Sequence, residues 1–432
     1  MKKSTPYVWK NALLDSIDSI AQNKATYFEN PETAFSRTQK ISLRDTILFP
    51  MVASNESTSV ELLDYFPMKD LPSQAAMSYR RNQLKLSAYQ AVFQDFTRKL
   101  PQEKNYCGMR VIACDGTRLN TPYNPQDTDS YVNCIEGRKG FNQYHLTTCY
   151  DVLNEVFTDA VIQGYYSMNE KLALCTMMDR YNSDNPILFV ADRGFSSYNV
   201  IAHAFYNKQF FLLRLPFPMA KNIFCDTQNI SDNDIMDIED TFYVGRVRNK
   251  ISKTLKNYHF RAKNKPYDYI PIGSKEIDSF SVRLVKFPLP SGETEYLLTN
   301  LPKDTFSIAD LQELYRLRWN VETSYRYLKY ASGMIYMHSL KQKFLFQEIF
   351  AKLTLYNFCT AVNQCINLKT TANLAHKYVI EKAYLVKSCI RFLKGQLKYI
   401  IQLVKKRKVP IRAGRKFERN IRRGHADTLQ YR

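Results

Sequence analysis

Patterned cysteine is missing from this sequence. Its cysteines number nine, an odd count, and no two form a C-x-x-C pair. A disulfide framework and a zinc ribbon are therefore excluded as organising devices, and a reducing, cytoplasmic setting is expected. Long apolar runs are missing too. No stretch of about 18 uninterrupted apolar residues occurs, so no membrane span is expected. The basic start Met1-Lys2-Lys3 is followed by no apolar segment of the kind a signal peptide needs. No internal repeat is evident. Acid, finally, is scarce in one region. From Ala331 onward there are 21 Lys+Arg against 4 Asp+Glu, a net of +17, whereas the first 330 residues carry 40 against 37. A polyanionic partner is expected mainly on one part of the molecule. The bland alternative is a solubilising tail.

What is present is enough for a large core: 432 residues, 45% of them apolar. The first hundred or so read as helical, with an apolar run over Ile41 to Ala53 and helical periodicity over Ser59 to Phe66 and Leu84 to Leu100. Pro50 and the serines around Ser54 to Ser59 are expected to break these pieces. Arg37, Lys40, Arg44, Arg80, Arg81 and Lys85 punctuate them, which suits either a small DNA-binding unit or a helical cap with a solvated face. From about Tyr106 the texture changes to strands: Met109 to Cys114, a hairpin of Phe141 to Tyr150 with Val156 to Ile162, and the buried runs Pro186 to Ala191 and Gln209 to Leu215. Helical periodicity over Asn169 to Tyr181 and Tyr198 to Tyr206 separates the later strands.

That order resembles the ribonuclease H-like fold, in which the first and fourth strands are neighbours. The expected fold class is mixed α/β: a ribonuclease H-like core over residues 106–343 with a β-rich insertion at about 216–290, flanked by a helical region at 1–105 and a helical, strongly basic region at 344–432. The insertion opens on Asp226, Asp232, Asp234, Asp237, Glu239 and Asp240, which lack the glycine and the twelfth-position glutamate of a calcium loop and are read as a solvated loop. In the basic tail, ten cations between Lys405 and Arg423 face a single acid, Glu418.

Tyr315, Arg318, Glu322 and Lys329 stand three, four and seven residues apart, which on an ideal helix places all four within an arc of roughly 60°. One carboxylate among two cations and an aromatic presents a metal ligand between phosphate-binding groups. Asp115 and Asp192 each stand at the end of an apolar run, and on neighbouring strands they would lie side by side. Three carboxylates suit phosphodiester cleavage, in which two divalent ions about 3.5–4 Å apart activate the attacking oxygen and stabilise the leaving one. Magnesium takes hard oxygen ligands and keeps several waters, so a few carboxylates hold the pair. Asp115 is the natural bridging ligand, with Asp192 and Glu322 each completing one metal. Arg318 and Lys329 suit DNA phosphates, and Tyr315 suits a phosphate or a stacked terminal nucleotide. Arg193 either binds DNA near the site or pairs with a core carboxylate. Each residue alone has an ordinary explanation: Glu322 with Arg318 or Arg326 makes an i,i+4 pair, Tyr315 packs, and Lys329 is solvated.

The joint pattern Y-x2-R-x3-E-x6-K resembles the signature of DDE transposases of the bacterial insertion-sequence-4 family. Also similar to that family are Val111-Ile112-Ala113-Cys114-Asp115-Gly116-Thr117, the pair Tyr150-Asp151, Asn169-Glu170, Ala191-Asp192-Arg193-Gly194-Phe195 and Leu298-Thr299-Asn300-Leu301-Pro302. The resemblance implies a Mg2+-dependent transposase (Mn2+ substituting), with Asp115, Asp192 and Glu322 as catalytic metal ligands. It implies double-stranded transposon-end and target DNA as partners, an N-terminal DNA-binding region, and a homodimer acting on paired ends, often through a hairpin intermediate. A structure-selective nuclease on the same fold and a domesticated, non-catalytic DNA-binding protein are the alternatives.

Overall fold

The computed structural model describes residues 5–36, 40–133, 139–223, 235–366 and 378–410. Ten strands share one mixed sheet: β1 (Arg110–Thr121), β2 (Tyr131–Val132), β3 (Phe141–Asp151), β4 (Val156–Gly164), β5 (Ile187–Ala191), β6 (Phe210–Arg214), β7 (Met236–Gly245), β8 (Tyr258–Phe260), β9 (Ile277–Pro288) and β10 (Thr294–Thr299). Their spatial order is β2-β3-β1-β5-β6-β10-β9-β7-β8, with β4 also on β3. Strand β1 runs antiparallel to β3 and parallel to β5, which is parallel to β6. This is the ribonuclease H-like arrangement, with the first and fourth core strands adjacent. The insertion strands do not form a separate sheet. They extend the core one edge to edge, through the antiparallel β6–β10 and β10–β9 ladders.

Both faces of the central strands are covered, which is why β5 is apolar throughout. Val111, Ala113, Leu188, Val190 and Leu212 face one layer, and Ile112, Cys114, Phe189, Ala191, Phe211 and Leu213 the other. The second layer is built by α5 (Glu170–Arg180) and α6 (Tyr198–Tyr206), capped by the side chains of Asn169 and Ser197. The first is built by α1 (Pro6–Ser19), α2 (Leu43–Val52) and α4 (Leu86–Lys99) around the long α9 (Gln342–Gln364), with α10 (Lys382–Leu393) closing it. Pro50 lies inside α2 rather than ending it. The helix begins at the Ser42–Asp45 capping box, and the serines after Val52 separate it from the next helix, Thr58–Tyr65.

Several cations that punctuate the N-terminal sequence are consumed by this packing. Arg81, on α3 (Gln74–Asn82), is buried and pairs with Glu348 at 3.0 Å. Arg80 lies over the Phe35 ring, Arg44 pairs with Asp18, and Lys85 donates to the Ala25 carbonyl. Arg37 lies outside the described residues. Half of the acidic stretch is not a loop: Asp237, Glu239 and Asp240 belong to β7, where Asp237 pairs with the buried Arg283 at 2.7 Å. Asp226, Asp232 and Asp234 lie outside the described residues, as does the basic tail beyond Pro410. A small antiparallel pair, β11 (Tyr378–Ile380) and β12 (Lys408–Pro410), ends the described chain. No helix among the described residues is long and apolar enough to cross a membrane.

Candidate active site

Asp115 is not at a strand end. The Asp-Gly-Thr that reads as a turn continues as strand, because β3 stays paired with β1 as far as Thr121. What ends at this level is the parallel neighbour: Cys114 is in register with Ala191, the last residue of β5. Asp115 and Asp192 are thus side by side, one on a continuing strand and one just past a finished strand. Side chains alternate across a sheet. Ala113 and Val190 point into the α9 layer and Cys114 and Ala191 away from it, so both aspartates return to the α9 face.

The helical segment with the third carboxylate crosses that face. It is not a single regular helix. α7 (Ile308–Leu317) gives way at Arg318 to α8 (Trp319–Arg326), and Tyr327–Ala331 form a wider π turn. Around Arg318 the bonds tighten to i→i−3, from Arg318 N to Tyr315 O and from Val321 N to Arg318 O. Local winding therefore departs from the ideal period that generates a narrow stripe. Tyr325 locks the segment to the sheet, its hydroxyl donating to the Asp115 carbonyl at 2.6 Å.

Four of the expected residues share one electrostatic environment. Burial pushes the Asp115 carboxyl up to about 7. The Gly116 N–H and the Arg318 guanidinium pull it back, while Glu322 and Asp192 push it further up. Arg318 is itself buried, with 4% of its surface exposed. Burial disfavours its charge, yet Tyr315, Asp115, Glu322 and Asp192 outweigh that and hold its pKa above the ordinary value. One of its terminal nitrogens donates to Glu322 Oε1 at 3.3 Å, and the guanidinium lies 4.8 Å from the centre of the Trp319 ring. Its Nε is buried with no hydrogen-bond partner. So the i,i+4 pair exists, but its cation also serves both aspartates. Tyr315 is buried against it.

The remaining expected residues lie further out. Lys329, on the π turn, donates to the Arg118 carbonyl at 2.7 Å. Arg193 follows Asp192 in an exposed turn, and its side chain does not enter the core. That turn is held by the Gly194 N–H donating to Asp192 Oδ1 at 2.8 Å. Two neighbours, His145 on β3 and Glu170 at the start of α5, lie directly behind the aspartates, with Nε2 2.9 Å from Oε1. Glu170 is noticeable in the sequence only through the Asn169-Glu170 pair, and His145 carries no signal there. Other motif residues hold the scaffold. Asp151 accepts from the buried Arg110, and Asn300 bridges Phe211 N and Gln209 O to fix β6.

Asp115, Asp192 and Glu322 offer hard carboxylate oxygens, the donors Mg2+ and Mn2+ take. The upward push that Glu322 and Asp192 exert on Asp115 is the repulsion a divalent cation would relieve. Among the described residues no three His, Cys, Asp or Glu side chains close around a single point.

The chain matches the family described as Transposase DDE domain over residues 106–358, more than half its length. No curated protein matches it. Among solved structures it is similar to the piggyBac transposase, determined by cryo-EM as a synaptic complex with hairpin DNA. The identity is 9%, with 92% of this chain and 81% of that chain covered and a TM-score of 0.46. The matched span begins just before β1, ends inside α9 and contains all three carboxylates, and on that match this chain belongs to the transposase DDE domain family.

Proposed function

We propose that this chain is the DNA transposase of a bacterial insertion sequence, of the insertion-sequence-4 type. In this reading it hydrolyses a phosphodiester at each transposon end and then joins the freed 3′-hydroxyl to target DNA. It works as a homodimer on double-stranded DNA, on the nucleoid in the cytoplasm. Family membership supports the reading, and one observation carries it. Asp115, Asp192, Glu322 and Arg318 act on one another at a single level of the sheet, with burial raising Asp115 to about 7.

Two divalent ions, Mg2+ or Mn2+, would supply the activation of the attacking oxygen and the stabilisation of the leaving one. Asp115, on which both other acids act, would hold these ions together with Asp192 and Glu322. The first step breaks the P–O3′ bond at the end, water supplying the new oxygen and the 3′-oxygen leaving with a proton. In the second step that 3′-oxygen attacks a target phosphorus and displaces another 3′-oxygen. Arg318 has an unused Nε donor, which suits it to a phosphate oxygen once DNA enters. Lys329 and Arg193 suit the flanking phosphates, and Tyr315 supports Arg318 from beneath.

The test is a duplex carrying the DNA that flanks the coding region, incubated with the full chain and Mg2+. Nicking at the repeat boundary, followed by joining to a plasmid, is the expected result. Nicking without joining would favour a nuclease. Binding with no metal-dependent cleavage would overturn the enzymatic reading.

A further inference from the structure

Behind the two aspartates, on the opposite face of the sheet, stands a pair that the chemistry above does not use. His145 pairs with Glu170 at 2.9 Å; the His145 side chain is 7% exposed and the Glu170 side chain 30%. Two glycines back onto this pair. A Cβ on Gly116 would collide with Glu170 Oε1 and His145 Nε2, and a Cβ on Gly194 would stand 3.6 Å from Glu170 Oε2. These are the glycines whose N–H groups hold the catalytic carboxylates. Gly116 N–H bonds to Asp115, and Gly194 N–H donates to Asp192 Oδ1 at 2.8 Å.

We propose that Glu170, pinned by His145, is a positioning residue for the transposase site. Through Gly116 and Gly194 it sets the two peptides that aim Asp115 and Asp192 at the divalent ions, a role that rests on the functional reading above. It explains why a carboxylate faces the catalytic strands without joining the trio: its partner is the backbone that bears them, not the ions. Groups that orient metal ligands without touching the metal typically cost 10–100-fold in metal affinity when removed.

The experiment uses the full chain, flanking-end DNA and Mn2+, reading both Mn2+ binding by electron paramagnetic resonance without DNA and cleavage against Mn2+ concentration. Glu170→Gln keeps the shape and removes the charge; it is expected to raise the half-maximal Mn2+ concentration roughly tenfold, with end binding and melting temperature unchanged. Gly116→Ala meets only the far ends of two side chains, so it should displace the pair while β1 stays folded, and give the same phenotype. Gly116→Ala combined with Glu170→Ala should be no worse than either alone, because both remove one interaction. Additive effects of the two substitutions, or wild-type Mn2+ dependence in Glu170→Gln, would overturn the proposal while leaving the transposase reading intact. An unaltered chain that neither binds Mn2+ nor cleaves would overturn both.

Discussion

In the helical core around α9, Arg81 donates to Gln347, Glu348 and the Phe344 carbonyl, and Lys352 donates to the Met51 and Ala53 carbonyls. Glu61 accepts from the Ser54 backbone and hydroxyl, with Lys394 at 3.7 Å. At the centre of the sheet, burial is comparable but matching is incomplete. Asp115 is driven up to about 7 beside two further acids, and the Arg318 Nε has no acceptor. Both regions place ions in a poorly polarisable interior. The helical core satisfies its charges with counter-ions and backbone carbonyls, whereas the sheet leaves some donors and acids unmatched. Buried charge in this chain therefore marks scaffold where it is matched, and the proposed cation and phosphate site where it is not.

The largest expected contrast is in activity. Asp115→Ala, Asp192→Ala or Glu322→Ala should each abolish metal-dependent cleavage of flanking-end DNA and leave end binding near normal by gel shift. Near-normal cleavage by Glu322→Ala would shift attention to another acid, such as Glu313. Arg81→Ala should act oppositely. By stranding Glu348 it should lower unfolding free energy by about 3–5 kcal/mol in urea titrations, and a change much below 1 kcal/mol would erase the distinction between the regions.

The two regions should also respond oppositely to pH. Asp115 has its folded pKa raised from an unfolded value of about 3.9 to about 7. Its contribution to stability is full at low pH and is lost as pH rises through about 7. Burial pushes Lys352 down to about 8, against the partial support of Glu348 and Glu61. The folded state thus gives up that proton before the unfolded one does, and stability should rise between about 8 and an unfolded value of about 10.4. Metal-free urea unfolding across pH reads both slopes, and Asp115→Asn and Lys352→Met should each remove one of them. The smallest effect concerns the tail. Removing residues 411–432 takes away seven Lys/Arg and two acids. For every phosphate the tail neutralises, its removal should flatten log affinity against log salt by roughly 0.9. Fluorescence anisotropy showing an unchanged slope would free the tail from any role on DNA.

The sheet and the helices on it were legible in the sequence wherever local signals sufficed: the β3–β4 hairpin, the continuous apolar β5, the helical periodicity of α5 and α6. Adjacency of Asp115 and Asp192 followed from topology. Where the local signal and the long-range partner disagreed, the partner won. Asp-Gly-Thr is extended because β3 continues beside it, and Pro50 sits in a helix because α2 is packed along α9. The even stripe on one helix was an idealisation, since nothing in the local sequence reveals the tightening at Arg318 or the π turn after it. His145 and Glu170 were illegible for a different reason. A pair 25 residues apart becomes a unit only once two glycines have made room for it.

The packing of α1 bears on how the chain is made. Trp9 Nε1 donates to Cys365 Sγ at 3.2 Å, and Lys10 Nζ to the Phe392 carbonyl at 3.0 Å. A helix near the start of the described chain therefore docks on residues 356 and 382 positions further along it. At about 5–20 residues per second, the 382 positions between Lys10 and Phe392 separate the two partners of that contact by roughly 20 to 75 s of synthesis. During that interval the nascent chain is a natural client for chaperones. A chain that stops short of Cys365 and Phe392 would lack the acceptors of Trp9 and Lys10, leaving that side of α1 open to proteolysis.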